Sequence, residues 1–231
     1  MHRLIKPCAV ALSLASLGGF VAAPAHAQTL QNGSFEQGTF NSSGNQSLPA
    51  GSTAISNWTV TNAEIALLTN GNYGLTTPYG NYFLDLTGYH DSVPYGGVTQ
   101  YIATTTGASY SLSFSLGADQ DNASYSGPVS ATASAGGTSQ AFTFTPAAGS
   151  TGNQWGTFGL DFIATDSTTA ITVTGTQSAG GQFIGLDNVL VTQNPAAVPE
   201  APTTVSLGLL LMLGLGGMAM AAKCRKSAAQ A

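Results

Sequence analysis

The stretch from Ser109 to Ala118, SYSLSFSLGA, alternates apolar and polar side chains along its length. Large apolar residues fall at every second position with serines between them, which is typical of a β-strand with one buried face. Similar short runs recur between residues 63 and 193, separated by Gly, Asn and Ser. No stretch between residues 28 and 194 has helical periodicity of useful length. The pattern therefore predicts an all-β domain built as an antiparallel β-sandwich or barrel.

Turns and large side chains refine this prediction. The segment GGTS, Gly136–Ser139, lies between two alternating runs and predicts a β-hairpin. The polar segments 38–51 and 118–127 are predicted to be loops, and we expect them to be the most mobile parts of the domain. Trp58 and Trp155 lie in apolar strand contexts, so both are predicted to belong to the core.

Residues 1–27 have the layout of a secretory signal peptide. Arg3 and Lys6 precede an apolar stretch, and Ala25 and Ala27 occupy the small-residue positions before a cleavage site. The apolar stretch is too short to span a membrane comfortably, which argues against an N-terminal membrane helix. We therefore predict cleavage before Gln28 and export of a mature domain over residues 28–194.

The C-terminal region has three parts. Residues 195–204 contain Pro199, Glu200 and Pro202, which favour an extended and exposed backbone. Residues 205–222 are uncharged and, at about 1.5 Å per residue, are long enough for a single transmembrane helix. Residues 223–231 form a basic tail, which the positive-inside rule keeps in the cytoplasm. A buried core helix is the other interpretation, but amphipathic spacing is absent.

This three-part ending resembles the PEP-CTERM class of bacterial sorting signals. The sequence reads VPEA, so Pro202 stands two residues after Glu200, where the commonest form has a proline directly after the glutamate. The resemblance implies that an exosortase, a membrane enzyme with a cysteine nucleophile, recognises and processes the tail. It also implies that the exported protein is held transiently in the inner membrane and then reaches the cell surface or the extracellular space.

The charges of the mature domain are all negative. The five Lys and Arg residues lie outside residues 28–195, whereas nine acidic residues lie within them. Nucleic acid is therefore excluded as a partner, and direct binding to anionic lipid is disfavoured. Carboxylates without basic partners suit calcium, which prefers oxygen ligands. The nine acidic residues are Glu36, Glu64, Asp85, Asp91, Asp119, Asp121, Asp161, Asp166 and Asp187.

An ordered series of short motifs covers nearly the whole domain and resembles the galactose-binding-like jelly rolls of carbohydrate-binding modules and DUF642-type extracellular domains. The resemblance implies a jelly-roll β-sandwich. The motifs are NGSFE at Asn32–Glu36, WTV at Trp58–Val60, QYI at Gln100–Ile102, GASYSLSF at Gly107–Phe114 and LDNV at Leu186–Val189.

The same resemblance implies a structural calcium ion where the first and last strands meet. Glu36 and Asp187 are its candidate side-chain ligands. The other interpretation is that these two carboxylates bond loop amides and hold strand ends. Asp119 and Asp121 also have a spacing that suits a cation, but a solvated turn is the favoured interpretation there.

Loop tyrosines predict a possible polysaccharide site, because flat rings stack on the apolar faces of sugars. Ordinary loop packing is the competing interpretation. The loop tyrosines, which lie among Gly and Asn residues, are Tyr73, Tyr79, Tyr89, Tyr95 and Tyr125. The candidate ligand-binding residues are Tyr79, Tyr89, Asp91 and Tyr95.

Catalytic residues are poorly represented in the domain. His90 is its one histidine, and the adjacent Asp91 cannot face it as a triad acid would, because neighbouring strand residues point opposite ways. No carboxylate pair is singled out for glycoside hydrolysis. We expect a non-enzymatic surface or extracellular-matrix protein associated with exopolysaccharide or biofilm. A carbohydrate-binding module that uses loop tyrosines is the alternative, and a glycoside hydrolase is a remote one.

Overall fold

The computed structural model describes residues 30–41, 43–120, 125–178 and 182–196. The predicted signal peptide, the sorting motif, the transmembrane segment and the basic tail lie outside these residues, so their predictions stay untested. Within the described ranges, no helix has the length and apolar character needed to cross a membrane.

Strands dominate the described residues, which contain one short 3₁₀ turn at Asn72–Gly74 and no α-helix. In chain order the strands are β1 (Asn45–Leu48), β2 (Thr59–Thr61), β3 (Ile65–Thr69), β4 (Tyr82–Asp85), β5 (Gly97–Ala103), β6 (Ser109–Asp119), β7 (Val129–Ala135), β8 (Thr138–Phe144), β9 (Asn153–Ile163), β10 (Thr168–Ser178) and β11 (Gly185–Gln193).

The strands form two antiparallel sheets. One sheet has six strands in the order β1-β3-β4-β11-β6-β9, and the other has five in the order β2-β5-β10-β7-β8. The last strand, β11, therefore lies inside its sheet between β4 and β6. The prediction of an all-β, antiparallel jelly-roll β-sandwich is confirmed.

The main core lies between the sheets, as the alternation in β6 predicts. Tyr110, Leu112 and Phe114 are buried on one face of β6. The ring of Tyr110 stacks on Phe162 of the neighbouring β9, with ring centroids 5.4 Å apart. Burial of these apolar faces is the main favourable contribution to folding.

The predicted hairpin is present and tighter than GGTS suggests. Thr138 already pairs with Ala135 as the first residue of β8, so Gly136 and Gly137 alone form the turn. Both glycines have positive φ, at 55° and 81°. A two-residue turn with this backbone matches the twist of the flanking strands, and glycine adopts it at low cost.

The prediction that residues 38–51 form a polar loop is corrected by β1. This four-residue edge strand pairs with β3 and buries Leu48. Its other residues face solvent or lie half-buried. An edge strand with a single buried side chain carries too little alternation for its sequence to reveal it.

The N-terminal segment packs on the last strand. The Val189 N–H donates to the Gly33 carbonyl at 2.9 Å, and a Cβ on Gly33 would lie 1.8 Å from the Val189 carbonyl oxygen. The indole N–H of Trp58 donates to the Asn32 carbonyl at 2.9 Å. Phe35 completes the contact, with its ring centroid 5.4 Å from that of Trp58. Motifs from opposite ends of the domain thus meet at one place.

Candidate ligand-binding site

The outer face of the six-stranded sheet carries a second apolar cluster. Ala66 and Leu68 of β3 alternate with residues that point into the main core, so they face away from it. Tyr125 and Trp155 pack against this cluster from above. Its buried members are Ala66, Leu68, Leu75, Phe83 and Phe183.

A cavity of about 200 Å³ lies on this cluster. Three of its walls come from loops that follow β3, β4 and β6, and a fourth comes from the segment before β11. We call it the tyrosine cavity. Its lining residues are Ala66, Leu68, Tyr73, Leu75, Asp85, Gly88, Tyr89, Asp91, Tyr125 and Gln182.

Asp85, the last residue of β4, lies on the floor of the tyrosine cavity and is 5% exposed. Its Oδ1 accepts hydrogen bonds from the Ile184 N–H at 3.0 Å, the Thr87 N–H at 3.0 Å and the Thr87 hydroxyl at 2.8 Å. Burial raises the pKa of Asp85 to about 7, against the effect of these bonds, and the nearby charge of Asp91 adds to the rise. Asp85 is therefore held rigidly and is protonated readily near neutral pH.

The three tyrosines form the rim. Tyr73 is 48% exposed and Tyr89 is 46% exposed. The Tyr89 N–H donates to Oε1 of Glu64 at 3.0 Å. This hydrogen bond holds the loop that follows β4. Tyr125 packs edge-on against Phe183, with ring centroids 6.4 Å apart.

The surroundings of two rim tyrosines shift their pKa values. Burial raises the pKa of Tyr125, and the neighbouring Tyr73, Asp85 and Asp91 raise it further. Burial and the Tyr73 hydroxyl likewise raise the pKa of Tyr89. The phenols of Tyr89 and Tyr125 therefore stay neutral at physiological pH.

The structure separates the four ligand-binding residues that the sequence grouped. Tyr89 and Asp91 line the tyrosine cavity. Tyr79 instead packs edge-on against Trp155 at 6.1 Å and accepts a hydrogen bond from the Ser115 hydroxyl at 3.1 Å. Tyr95 is 6% exposed within the main core, so it offers no surface to a ligand.

The two tryptophans also differ. Trp58 is in the main core, as predicted. Trp155 is half-buried on the outer face of the six-stranded sheet, where its indole N–H donates to the Thr76 carbonyl at 2.8 Å. The prediction of a core position for Trp155 is corrected because side chains alternate along β9: Leu160 and Phe162 face the main core, and Trp155 lies on the opposite face.

Glu36 and Asp187 both accept hydrogen bonds from residues 77–82, and the charge of Glu36 contributes to a raised pKa of Asp187. Oε1 of Glu36 accepts the N–H groups of Asn81 and Tyr82, each at 2.8 Å. Asp187 is fully buried and accepts the Thr77 hydroxyl on Oδ2 and the Asn188 N–H at 2.6 Å on Oδ1. Burial is the main cause that raises the pKa of Asp187 to about 7.

These contacts bear on the calcium prediction. The bonds to loop amides match the other interpretation of Glu36 and Asp187. Three of their four carboxylate oxygens already accept hydrogen bonds from N–H or O–H donors. Among the residues that the structure describes, no group of three or more His, Cys, Asp or Glu side chains could hold a metal ion. Glu36 and Asp187 therefore already have hydrogen-bond partners within the domain, and calcium stays a prediction.

Sequence reasoning did not select Asp85 as a site residue, and it placed Tyr73 and Tyr125 among the five loop tyrosines without choosing them as ligand-binding residues. A signal for Asp85 exists, because an acidic residue inside the apolar run FLDL needs a specific reason to be buried. Tyr73 and Tyr125 carry no such signal. They lie 52 residues apart and meet only because their loops cross the same sheet face.

The comparisons with known proteins concern the whole domain. The family model described as "Protein of unknown function (DUF642)" matches residues 28–191. No curated protein matches the sequence.

Solved structures of carbohydrate-binding modules are similar to the chain. The one described as "CBM4 structure and function" is 18% identical, with a TM-score of 0.38, over 71% of this chain and 98% of that one. A family 35 carbohydrate binding module from Clostridium thermocellum is 14% identical, with a TM-score of 0.39, over 63% and 97%. TmCBM61 in complex with beta-1,4-galactotriose is 15% identical, with a TM-score of 0.38, over 71% and 97%. At these levels of similarity nothing about function follows for this chain.

Proposed function

The chain belongs to the DUF642 family, and from that membership and the tyrosine cavity we propose that it is an exported polysaccharide-binding protein of the bacterial surface or extracellular matrix. The observation that carries the proposal is the composition of the cavity. Three tyrosine rings offer apolar faces, while Asp85, Asp91 and Gln182 offer hydrogen-bonding groups to hydroxyls. Exopolysaccharide is the partner that this combination suits best.

The size of the cavity limits what it can hold. At about 200 Å³ it is smaller than the roughly 300–1,000 Å³ that drug-sized ligands occupy. It therefore suits a single sugar ring, such as a chain end or a side branch, rather than a long stretch of polymer.

Removal of the rim aromatics is expected to abolish most sugar binding. Tyr89→Ala and Tyr125→Ala each remove a ring that the cavity presents, and we expect the affinity for a glycan ligand to fall by about tenfold or more. The measurement is a glycan array followed by calorimetric titration. Tyr101→Ala is the matched control, because Tyr101 is 72% exposed on β5 and does not line the cavity.

Equal losses in the three variants would count against the tyrosine cavity, since Tyr101 lies on the other sheet. Binding that survives both cavity substitutions would move the sugar site elsewhere on the surface. A wild-type protein that binds no glycan at all would leave a structural matrix component without a small ligand as the better description.

We propose the export and C-terminal processing of the protein from its terminal sequences alone. We expect a signal peptidase to release residues 1–27 and an exosortase-type enzyme to process the chain after Pro199, Glu200 and Pro202. Mass spectrometry of the exported protein should then find Gln28 at the N-terminus and no residues beyond about 204. Retention of residues 205–222 in a host that has the processing enzyme would contradict this route.

We propose no enzymatic activity, with a glycoside hydrolase as the second candidate. Asp85 and Asp91 line the same cavity, and the raised pKa of Asp85 is what a general acid needs. A reducing-end assay on the bound glycan tests this candidate. Turnover that Asp85→Asn abolishes would favour the hydrolase over the binding protein.

A further inference from the structure

The tyrosine cavity combines features that point to the charge of its ligand. From them we infer that it binds the protonated amine of an amino sugar, a unit of a polysaccharide from which the N-acetyl group has been removed. The inference rests on the proposed sugar-binding function and narrows the class of sugar.

The first feature is an unbalanced negative charge. Asp85 and Asp91 line the cavity, and Glu64 lies behind it, where it accepts the Tyr89 N–H. The five Lys and Arg residues of the chain all lie outside the described residues, at positions 3, 6, 223, 225 and 226. His90 is the nearest group that can become positive, but it is largely exposed and its Nε2 faces Oε2 of Glu64 at 3.8 Å. A cationic ligand would supply the charge that the protein does not.

The second feature is a lack of donors on the cavity floor. A carboxylate only accepts hydrogen bonds, and the three bonds that Asp85 receives all reach Oδ1. Its Oδ2 receives none of them. An ammonium group carries three donors and forms charge-assisted bonds to carboxylates, which are stronger than bonds to a neutral hydroxyl.

The third feature is the aromatic rim. Tyr73, Tyr89 and Tyr125 surround the carboxyl groups, and a cation near the face of a tyrosine ring is attracted by the negative charge of that face. The same rings can pack on the apolar face of the sugar. Acidic sugars are disfavoured, since a uronate would meet two carboxylates with no basic residue beside it.

The test is a pair of calorimetric titrations of the full-length protein at pH 7, close to the pKa of Asp85, where a bound ammonium group would favour the ionised carboxylate. One ligand is a tetramer of glucosamine with free amines, and the other is the same tetramer fully N-acetylated. We expect the free-amine tetramer to bind at least about tenfold more tightly. Added salt should weaken it, because the attraction is between charges.

Substitutions of single aspartates test whether the carboxylates of the tyrosine cavity attract the amine. Asp85→Asn should weaken the free-amine tetramer by about tenfold or more and weaken the acetylated one far less, because asparagine loses the charge but can still hydrogen-bond to sugar hydroxyls. Asp91→Asn is the second variant, because Asp91 is exposed with φ of 49° and asparagine tolerates that backbone, so folding is preserved. Asp161→Asn is the matched control. It removes one negative charge from the exposed face of β9, outside the cavity, and should change neither affinity.

The outcomes separate the inference from the proposed function. Equal binding of both tetramers, or tighter binding of the acetylated one, would contradict recognition of the amine. Sugar binding in the tyrosine cavity would still be supported. Equal losses in the Asp161 and Asp91 variants, or equally tight binding of a tetralysine peptide, would also contradict recognition of the amine, because net charge would then explain the affinity. If the protein binds neither tetramer and no glycan on the array, both the amine inference and the proposed sugar-binding function are wrong.

Discussion

The protein is expected to lose stability as the pH rises from about 4 to about 7, which is the reverse of ordinary acid denaturation. Asp85 and Asp187 are the cause. Both are buried, and burial raises the pKa of each from 3.8 to about 7. In this interval the folded protein keeps a proton on each group that the unfolded chain has already released. The unfolded chain therefore binds fewer protons, and the free energy of unfolding falls with rising pH.

The expected size of the effect is large. A difference of about three pKa units corresponds to about 4 kcal/mol for each carboxyl group, against a total stability of about 5–15 kcal/mol for a typical domain. The stability is fully present below about pH 4 and its loss is complete above about pH 7. Glu64 acts in the opposite direction only at lower pH, since its hydrogen bond with Ser47 lowers its pKa below 4.5.

Urea unfolding at pH 4.5, 6 and 8 measures this dependence. Asp85→Asn should remove about half of the loss, because an asparagine Oδ1 can accept the same three hydrogen bonds. Asp187→Asn should remove the other half, and Asp161→Asn should leave the profile unchanged. A wild-type stability that is flat or rises over this range would show that the two carboxyls are ionised in the folded protein.

The same titration tests calcium at Glu36 and Asp187. A bound calcium ion would keep Asp187 ionised, so adding calcium at pH 8 should restore stability and a chelator should remove it. Asp187→Asn should abolish the response. Identical unfolding curves with calcium and with chelator would contradict calcium binding by Glu36 and Asp187.

Trp58→Ala is expected to cost about 3–5 kcal/mol, which is the usual range for deleting a buried tryptophan. Trp58 is 1% exposed, packs against Phe35 and holds the Asn32 carbonyl through its indole N–H. The substitution therefore opens a cavity and also loosens the N-terminal segment. Thermal and urea unfolding measure the loss.

Two comparison variants show how much of the loss in stability comes from the buried volume of Trp58. Trp58→Phe keeps most of the volume and loses the hydrogen bond, so its cost should lie well below that of the alanine variant. Tyr101→Ala removes an aromatic that is 72% exposed and should change stability by less than about 0.5 kcal/mol. A Trp58→Ala cost as small as that of Tyr101→Ala would contradict the packing described here.

The sequence predicts the fold well because strand alternation is a local signal. In β6 the alternate residues Tyr110, Leu112 and Phe114 are buried. The turn is indicated by two adjacent glycines, Gly136 and Gly137, which both have positive φ. β1 is hidden because one buried leucine makes no pattern. Order within each sheet, such as the position of β11 between β4 and β6, depends on pairings across the whole domain and has no local signature.

The tyrosine cavity was only half predictable for a related reason. Tyr89 and Asp91 are neighbours in one polar loop, so composition alone selects them. Tyr125 joins them from a loop after β6, and Asp85 joins them from the end of a strand that otherwise reads as apolar core. By contrast, Tyr95 has the same loop-like composition around it but points into the core, a difference that depends on which way the chain turns before β5.

The position of β11 has a consequence for how the protein is made. Translation delivers the chain from its N-terminus, yet β4 and β6 each need a partner strand that begins only at Gly185. Until that segment has been synthesised, both strands present open edges, which favour pairing with other chains. The two halves of the six-stranded sheet can therefore join only when nearly all of the domain has been made.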